Sequence, residues 1–573
     1  MKSVFSKQKS QVHLQRNAFD LSHSDIFSIA PGMLLPIHVC EVNPNEHFEF
    51  TPANYVRTMP LNSAAFTRLK QHIEFFFVPM RTLCRQFQQF IVGTDYKISS
   101  LTSLNSYKNS IPCFDLIAQV KGLRPGQSSQ PNEFGLPRHS DVLRLYDMLG
   151  YGINIANYSK FQQQGFSQTY LVNPFRLLAY QKVYFDHYRN PLYELNDPSC
   201  YNIDAYYGQS TLSNIGGYIT LRYRNWNKDY FTSASPSFQG ADYLTDPVNM
   251  ANVLSLGLSD NGLDDGNFLP GTTKDYDWNA QQVPSSGMIG NLNVDTENQK
   301  TSSFTQFNIA NLRAAYALDK LYRISIAAGD GDYGSQIKAH YGFNAVHDDW
   351  KSKFIGGCSA PIQISEVITT ATTADSKGLL GNVGDIKGKG VSLNQGTFTF
   401  DTREHGIIIG ILSIVPEADY QSSMVDRFNI KSNREDYFQP EFQDLGKQPI
   451  LSTELSFQLD KIGSGGFLFP RNIIGFNNRY MEYKTAVNKV HGVFNTSGSL
   501  SAWASPRNNP LFNDPNTSTV QINKTSLKVD PRILNPIMLI QFDGTEDTDP
   551  FICDCHVTVR SIRPMSVSGE PML

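Results

Sequence analysis

The longest apolar run in this chain, Gly406–Val415 (GIIIGILSIV), is ten residues long. A membrane-spanning helix needs about 20 such residues, so the run reads as a strand buried inside a sheet. A second segment, HIEFFFVPMRTL (His72–Leu83), sets Ile73, Phe75 and Phe77 on one face by alternation, then meets Pro79 and a short helix. Further strand-like segments fall near Met33–Val42, Gly217–Arg224, Pro361–Val367, Gly396–Asp401, Ser452–Leu459, Tyr480–Phe494, Pro536–Phe542 and Phe551–Ile562. Thirty-seven Phe and 27 Tyr favour strands, and 41 Gly with 30 Pro supply turns. The expected fold class is therefore all-β. The strands are unevenly spaced along 573 residues, and some gaps exceed a hundred residues. A double-sheet jelly roll tolerates this, because its connections lie at the ends of the sandwich and can grow outward.

Two helices are signalled within the long connections. Asn173–Pro191 (NPFRLLAYQKVYFDHYRNP) offers Asn173 as N-cap, Pro174 at the first helical position and Pro191 as a stop. Leu177, Tyr180, Tyr184 and Tyr188 recur along it at helical spacing. The second helix is expected from about Ile309 to Ile326, between Asn308 and Gly329. Both are expected to pack on the sandwich or on a neighbouring copy.

Charge separates one segment from the rest. Ser233–Lys300 is rich in Gly, Asn, Asp, Ser and Gln, and carries nine acidic residues against Lys274 and Lys300. Its net charge of −7 leaves +3 for the remainder of a chain whose total is −4. Such a loop reads as surface. At its other end the chain begins with Lys2, Lys7, Lys9 and Arg16 and no acid before Asp20. That arm reads either as a solvated terminus or as a neutraliser of phosphates. It has no apolar core of the signal-peptide kind, so a product made and folded in a cytoplasm is expected. Seven cysteines, odd in number and widely spread, read as reduced core thiols. Cys553 and Cys555 share one strand face beside His556, without further ligands at metal-site spacing.

The chemistry-bearing motifs are weak. GDGDYG (Gly329–Gly334) has the glycine spacing of a dinucleotide loop, but a helix is expected before it, and Asp330 and Asp332 would repel a pyrophosphate. As a calcium loop it has Gly334 at a ligand position and Tyr341 where the bidentate Glu belongs. His405 beside Glu404 reads as a structural histidine at a strand entry. No catalytic, metal or cofactor site is nominated, and an enzyme is not expected.

The ordered set of segments carries more than any one of them. HIEFFFVPMRTL is followed by NPFRLLAYQKVYFDHYRN, FNIANLRAAYALDKL (Phe307–Leu321), YGSQIKAHYGFN and IGGCSAPIQISEV (Ile355–Val367). EHGIIIGILSIVP (Glu404–Pro416), YFQPEFQDLGKQPI (Tyr437–Ile450) and RYMEYKTAVNKVHGVF (Arg479–Phe494) complete the series. In this order the segments resemble the major capsid proteins of the Microviridae, small single-stranded DNA phages, and their gokushovirus-like branch in particular. The resemblance implies an eight-stranded antiparallel viral jelly roll with long, partly helical insertions. Residues 1–20 would be a basic arm, and residues 21–573 one jelly-roll domain whose largest surface insertion spans about 233–300. It further implies a virion component that assembles with copies of itself into a T=1 icosahedral shell in the bacterial cytoplasm. The shell would enclose circular single-stranded DNA, aided by a small basic packing protein and minor virion proteins, without insertion in a membrane. Lys2, Lys7, Lys9 and Arg16 are the expected DNA contacts. Tyr437, Phe438 and Phe442, in a Pro- and aromatic-rich stretch of poor periodicity, are expected at subunit contacts. Tyr243, Phe268, Tyr276 and Trp278 are expected in the exterior loop that meets a host receptor. The competing reading is a jelly-roll carbohydrate-binding or adhesive protein.

Overall fold

The computed structural model describes residues 16–92, 111–123, 131–161, 169–206, 212, 215–236, a few positions between 317 and 342, 350–368 and most of 373–567. The chain divides into two compact units, residues 1–238 with 346–573, and residues 239–345. In the second unit the described element is a helix, Tyr333–Tyr341, which begins inside the GDGDYG motif. The expected helix Ile309–Ile326 and residues 237–300 of the acidic segment lie, but for isolated positions, outside the described residues.

The first unit is built on one curled sheet. Its strands are β1 (Asn17–Asp20), β2 (His23–Ile29), β3 (Leu35–Val42), β4 (His47–Thr58), β5 (Leu69–Pro79), β6 (Lys353–Ile368), β7 (Ile386–Gln395), β8 (Phe398–Asp401), β9 (Gly406–Pro416) and β10 (Phe551–Arg563). Eight of them form a hydrogen-bonded path, β1-β10-β4-β7-β6-β5-β9-β3, with β2 joined to β10 and β8 to β4. Every pairing on it is antiparallel. The sixteen-residue β6 turns the sheet over on itself. Lys353–Ile362 pair with β5, and Gln363–Ile368 pair with β7. The expected basic arm is thus sheet from Asn17 onward.

Ring contacts show which faces meet. Phe50 of β4 lies 5.4 Å from Phe75 of β5, while Phe398 and Phe400 of β8 lie 5.2 Å from Phe75 and Phe77. The fold is therefore a jelly-roll sandwich with an aromatic seam. Gly356 makes that seam possible, because a Cβ there would penetrate the Phe398 ring. Cys553 and Cys555 point into the same core and are fully buried.

Strand β9 is buried at every position. Its Ile408, Gly410 and Leu412 stand opposite Phe77, Phe75 and Ile73 and face the seam. Ile407, Ile409 and Ile411 face the other way, and two helices cover that side. Helix α1 (Arg138–Met148) packs on β3, and helix α2 (Phe175–Val183) packs on β5 and β9. Helix α2 continues as a π turn, Tyr184–Tyr188. The Asn173 side chain accepts from the Phe175 amide at 3.4 Å, but the helix begins at Phe175, so Pro174, expected as its first residue, stands one position before it as the cap. Buried polar pairs fix the layer. Arg144 meets Asp549 at 2.6 Å, and Arg224 meets Glu74 of β5 at 2.8 Å and Ser413 of β9 at 2.9 Å.

Four expected strands are corrected. Gly217–Arg224 is a turn followed by an extended stretch with a single bridge, Tyr223 to Met33, that carries Arg222 and Arg224 to the helical layer. Ser452–Leu455 is one helical turn, and the rest of Ser452–Leu459 lies outside the described residues. Tyr480–Phe494 is two 3₁₀ turns around a three-residue strand, Asn488–Val490. Pro536–Phe542 is a series of turns. What pairing these segments make is short: Tyr223 bridges Met33, Met538 bridges Leu61, and Asn488–Val490 runs parallel to Asp419–Gln421, none of them joining the main sheet as a strand.

Two predictions follow from the seam. Gly356→Ala should lower the unfolding free energy by about 1–3 kcal/mol, the usual cost of overpacking, and Phe398→Leu in the same chain should recover part of it. The second concerns His38, which lies between Phe50 and Phe75 with its Nε2 unbonded. Burial, and then the neighbouring His23, hold its imidazole down at about 3. An unfolded-chain histidine titrates near about 6.5, so acid protonates the unfolded state first. Stability should be intact above that value and fall toward lower pH, with a slope approaching about 1.4 kcal/mol per unit. Urea unfolding across this range should show His38→Phe with a slope shallower by that amount.

Candidate assembly surface

A second, smaller core lies beside the sandwich, formed by Tyr230, Phe231, Tyr420, Ile450, Ile474 and Leu527 among others. Strands Lys447–Leu451 and Ile473–Asn478 pair across it. The stretch expected at subunit contacts decorates this core. It is irregular, with 3₁₀ turns at Arg434–Asp436 and Pro440–Phe442. Tyr437 and Phe438 are 51% and 47% exposed, and Phe442 is half-buried.

The aromatic side chains are not loose. Phe438 meets the Tyr480 ring edge-on at 5.2 Å, and Arg479 lies over Phe442 at 5.7 Å. Tyr480 adopts the left-handed conformation, φ 61°, and its hydroxyl donates to the Glu435 carbonyl at 3.1 Å. Beneath them Lys431 pairs with Glu482 at 2.6 Å, both side chains almost fully buried. The ammonium also lies 4.1 Å from the Tyr483 ring centre and 4.6 Å from that of Phe428. Burial pushes the Glu482 carboxyl up, but hydrogen bonds from Lys431 and Gln448 outweigh it and hold the group below the usual carboxylate range. Phe428 and Tyr483 are 46% and 48% exposed. The result is an aromatic plate, half open to solvent and rigidly backed, the composition that interface centres favour.

Sequence reading named three residues of this plate and missed Phe428, Lys431, Tyr480 and Tyr483. The available signals were the three-residue spacings Phe428–Lys431 and Tyr480–Tyr483, but the two pairs lie about fifty residues apart. A cleft of about 230 Å³ borders the plate between Tyr230, Met424, Phe428 and Val487. Its charges are internally paired, Arg427 with Glu454 at 2.7 Å and Lys489 with Asp426 at 2.9 Å.

Of the other expected site residues, Arg16 is described. Its guanidinium donates to the Asn45 carbonyl at 2.5 Å and to the Asn45 side chain at 3.0 Å, clamping the turn between β3 and β4. Lys2, Lys7, Lys9, Tyr243, Phe268, Tyr276 and Trp278 lie outside the described residues. His405 is structural. Its carbonyl accepts from Met80, its ring meets Phe87, and the adjacent Glu404 pairs with Arg81 at 2.6 Å. Among the described residues no His, Cys, Asp and Glu group could hold a metal ion.

The first unit is thus an antiparallel jelly roll whose outward surface carries a backed aromatic plate. Comparison with known proteins gives the family. The model of the capsid protein (F protein) family matches residues 7–123 and 144–573, and the chain belongs to that family. Capsid protein VP1 of Chlamydia phage 1 is 25% identical, with 100% of this chain and 98% of that protein aligned. Capsid protein VP1 of Bdellovibrio phage phiMH2K is 23% identical over 98% and 96%, and that of Spiroplasma virus 4 is 22% identical over the full length of both. The resemblance to Microviridae capsid proteins read from the ordered motifs therefore holds.

Replacing Tyr437, Phe438 and Phe442 together by Ala should impair particle formation more than folding. The expected result is a soluble protein with near-native thermal unfolding that sediments as a small species. Full-yield particles from the triple variant would place the contact elsewhere.

Proposed function

We propose that this capsid protein closes a small T=1 icosahedral shell around circular single-stranded DNA. The observation that supports the reading best is alignment along the whole chain with phage capsid proteins that are themselves covered almost end to end. A shell subunit needs a rigid core and broad surfaces that fit its own copies. The aromatic seam supplies the first, and the backed plate is a candidate for the second.

The genome reading rests on charge. Outside residues 233–300 the chain carries only +3, far short of what a packaged genome presents, so a small basic partner and the arm with Lys2, Lys7 and Lys9 would share the task. The acidic segment, at −7, would be repelled by phosphate and suits the exterior, where Tyr243, Phe268, Tyr276 and Trp278 would meet a host receptor. Minor virion proteins would complete the particle, assembled in the bacterial cytoplasm.

Expression followed by sedimentation and electron microscopy tests the reading, with uniform closed particles as the expected result and only small soluble species as the result against it. Deleting residues 2–15, which spares the Arg16 clamp, should leave particles able to form but lower the nuclease-protected DNA within them. DNA retention should then depend less on salt, with a slope reduced by about 0.7 for each lost phosphate contact.

A further inference from the structure

One end of the sandwich is open, apolar and free of charge. Three segments separated in sequence build it: Pro60–Phe66 between β4 and β5, Gly498–Pro506, and Asn535–Phe542. None of the three contains Asp, Glu, Lys, Arg or His, in a chain where 18% of residues are charged. Phe66 is 72% exposed, Leu539 59%, Leu500 38% and Ile540 37%. The Phe66 ring leans on Trp503 at 5.7 Å.

These segments are fastened to one another. The Phe66 amide donates to the Trp503 carbonyl at 2.8 Å, and the Ser63 hydroxyl donates to Ala502 at 2.5 Å. The Leu539 amide donates to Pro60 at 3.1 Å, and Asn62 donates to the carbonyls of Ile537 and Met538, each at 2.9 Å. Leu61 is buried beneath and bridges both Met538 and Gly388 of β7. Little of this surface would need ordering on contact, which lowers the entropic cost of binding. A group of large exposed apolar residues on a prearranged surface marks an interaction site.

We infer that this end is a contact between copies of the chain around a symmetry axis of the particle, with Phe66 and Leu539 at its centre. The inference rests on the shell reading above and names a surface for it. The charge pattern selects the occupant. A nucleic acid would need cations, and the three segments hold none. The arginines that flank them in sequence are already engaged: Arg68 with Glu417 and Asp419 at 3.1 Å each, Arg532 with Asp530 at 2.9 Å, and Arg507, buried, with the Tyr420 hydroxyl at 3.1 Å. A second copy meets no like charge here and brings the same apolar loops, as rotation about an axis requires. An apolar centre beside a paired polar border is also the ordinary anatomy of a protein interface.

The test uses the full chain. Phe66→Ser combined with Leu539→Ser removes exposed side chains and should leave thermal unfolding of the unassembled protein nearly unchanged. Particle yield by sedimentation should fall about tenfold or more, the loss expected when central contacts are truncated. Amide hydrogen exchange on the wild-type protein gives an independent readout. Residues 60–66, 500–503 and 537–541 should exchange more slowly in particles than in free subunits. Wild-type yield from the double variant, or equal exchange in the two states, overturns the inference while leaving the shell reading intact. Absence of any particles from the wild-type protein overturns both. If the double variant fails to fold, the exchange comparison alone decides.

Discussion

Strand β9 has no solvent face. It lies between β5 and β3, with Ile408, Gly410 and Leu412 toward the aromatic seam and Ile407, Ile409 and Ile411 toward the helices. A strand apolar on both sides requires a layer on each, and the rest of the first unit is arranged to provide them. The opposing sheet closes one side through Phe50, Phe398 and Phe400. Helices α1 and α2, with the turns that carry Arg222 and Arg224, close the other. The helices and turns of residues 138–188 and 217–224, which follow β5, are therefore part of the core. This explains why β5 alternates Ile73, Phe75 and Phe77 with His72 and Glu74. The polar positions anchor the helical layer, where Glu74 receives Arg224 and the Tyr188 hydroxyl.

The parts of this fold legible in the sequence are those whose inward residues are large and apolar. Strands β3, β5, β9 and β10 were read close to their observed bounds. Strands β4 and β7 escaped although they are central, because their inward positions carry the wrong residue types. Pro52 and Asn54 interrupt the pattern of β4. Pro52 is tolerated because the edge of β4 away from β10 is shared by β8, which pairs with residues 47–50, and β7, which pairs with residues 53–57. The proline falls in the break between them, where no amide is needed from it. In β7, Gly388 and Gly390 sit where a hydrophobic residue would be sought, because the Ser63 backbone and the Thr58 side chain occupy the space of a Cβ. Close approach of the chain to itself is a tertiary fact, and a single sequence does not announce it.

The aromatic plate shows the same boundary. Composition and poor periodicity around Tyr437 were enough to mark an irregular, aromatic surface stretch. They could not reveal that Lys431 and Glu482 form a buried pair beneath it, because that pairing joins two turns about fifty residues apart. Function was read from the order of motifs, which reports ancestry. The geometry adds what ancestry leaves blank, namely which side chains face outward and what holds them there.

Closing a shell multiplies every contact by the number of copies, so no single contact has to be strong. It does have to be repeatable in angle, since errors in orientation accumulate around an axis. Preorganisation then matters more than area. Both outward surfaces of the first unit meet this requirement by the same device. The plate is held by a buried ion pair and by hydrogen bonds to Tyr480 and Gln448. The charge-free end is held by backbone hydrogen bonds that tie three distant segments together. Neither depends on exposed salt bridges, which contribute little in water and weaken with salt. The imbalance of charge falls elsewhere in the sequence, in the basic residues that open the chain and in residues 233–300 with their net −7.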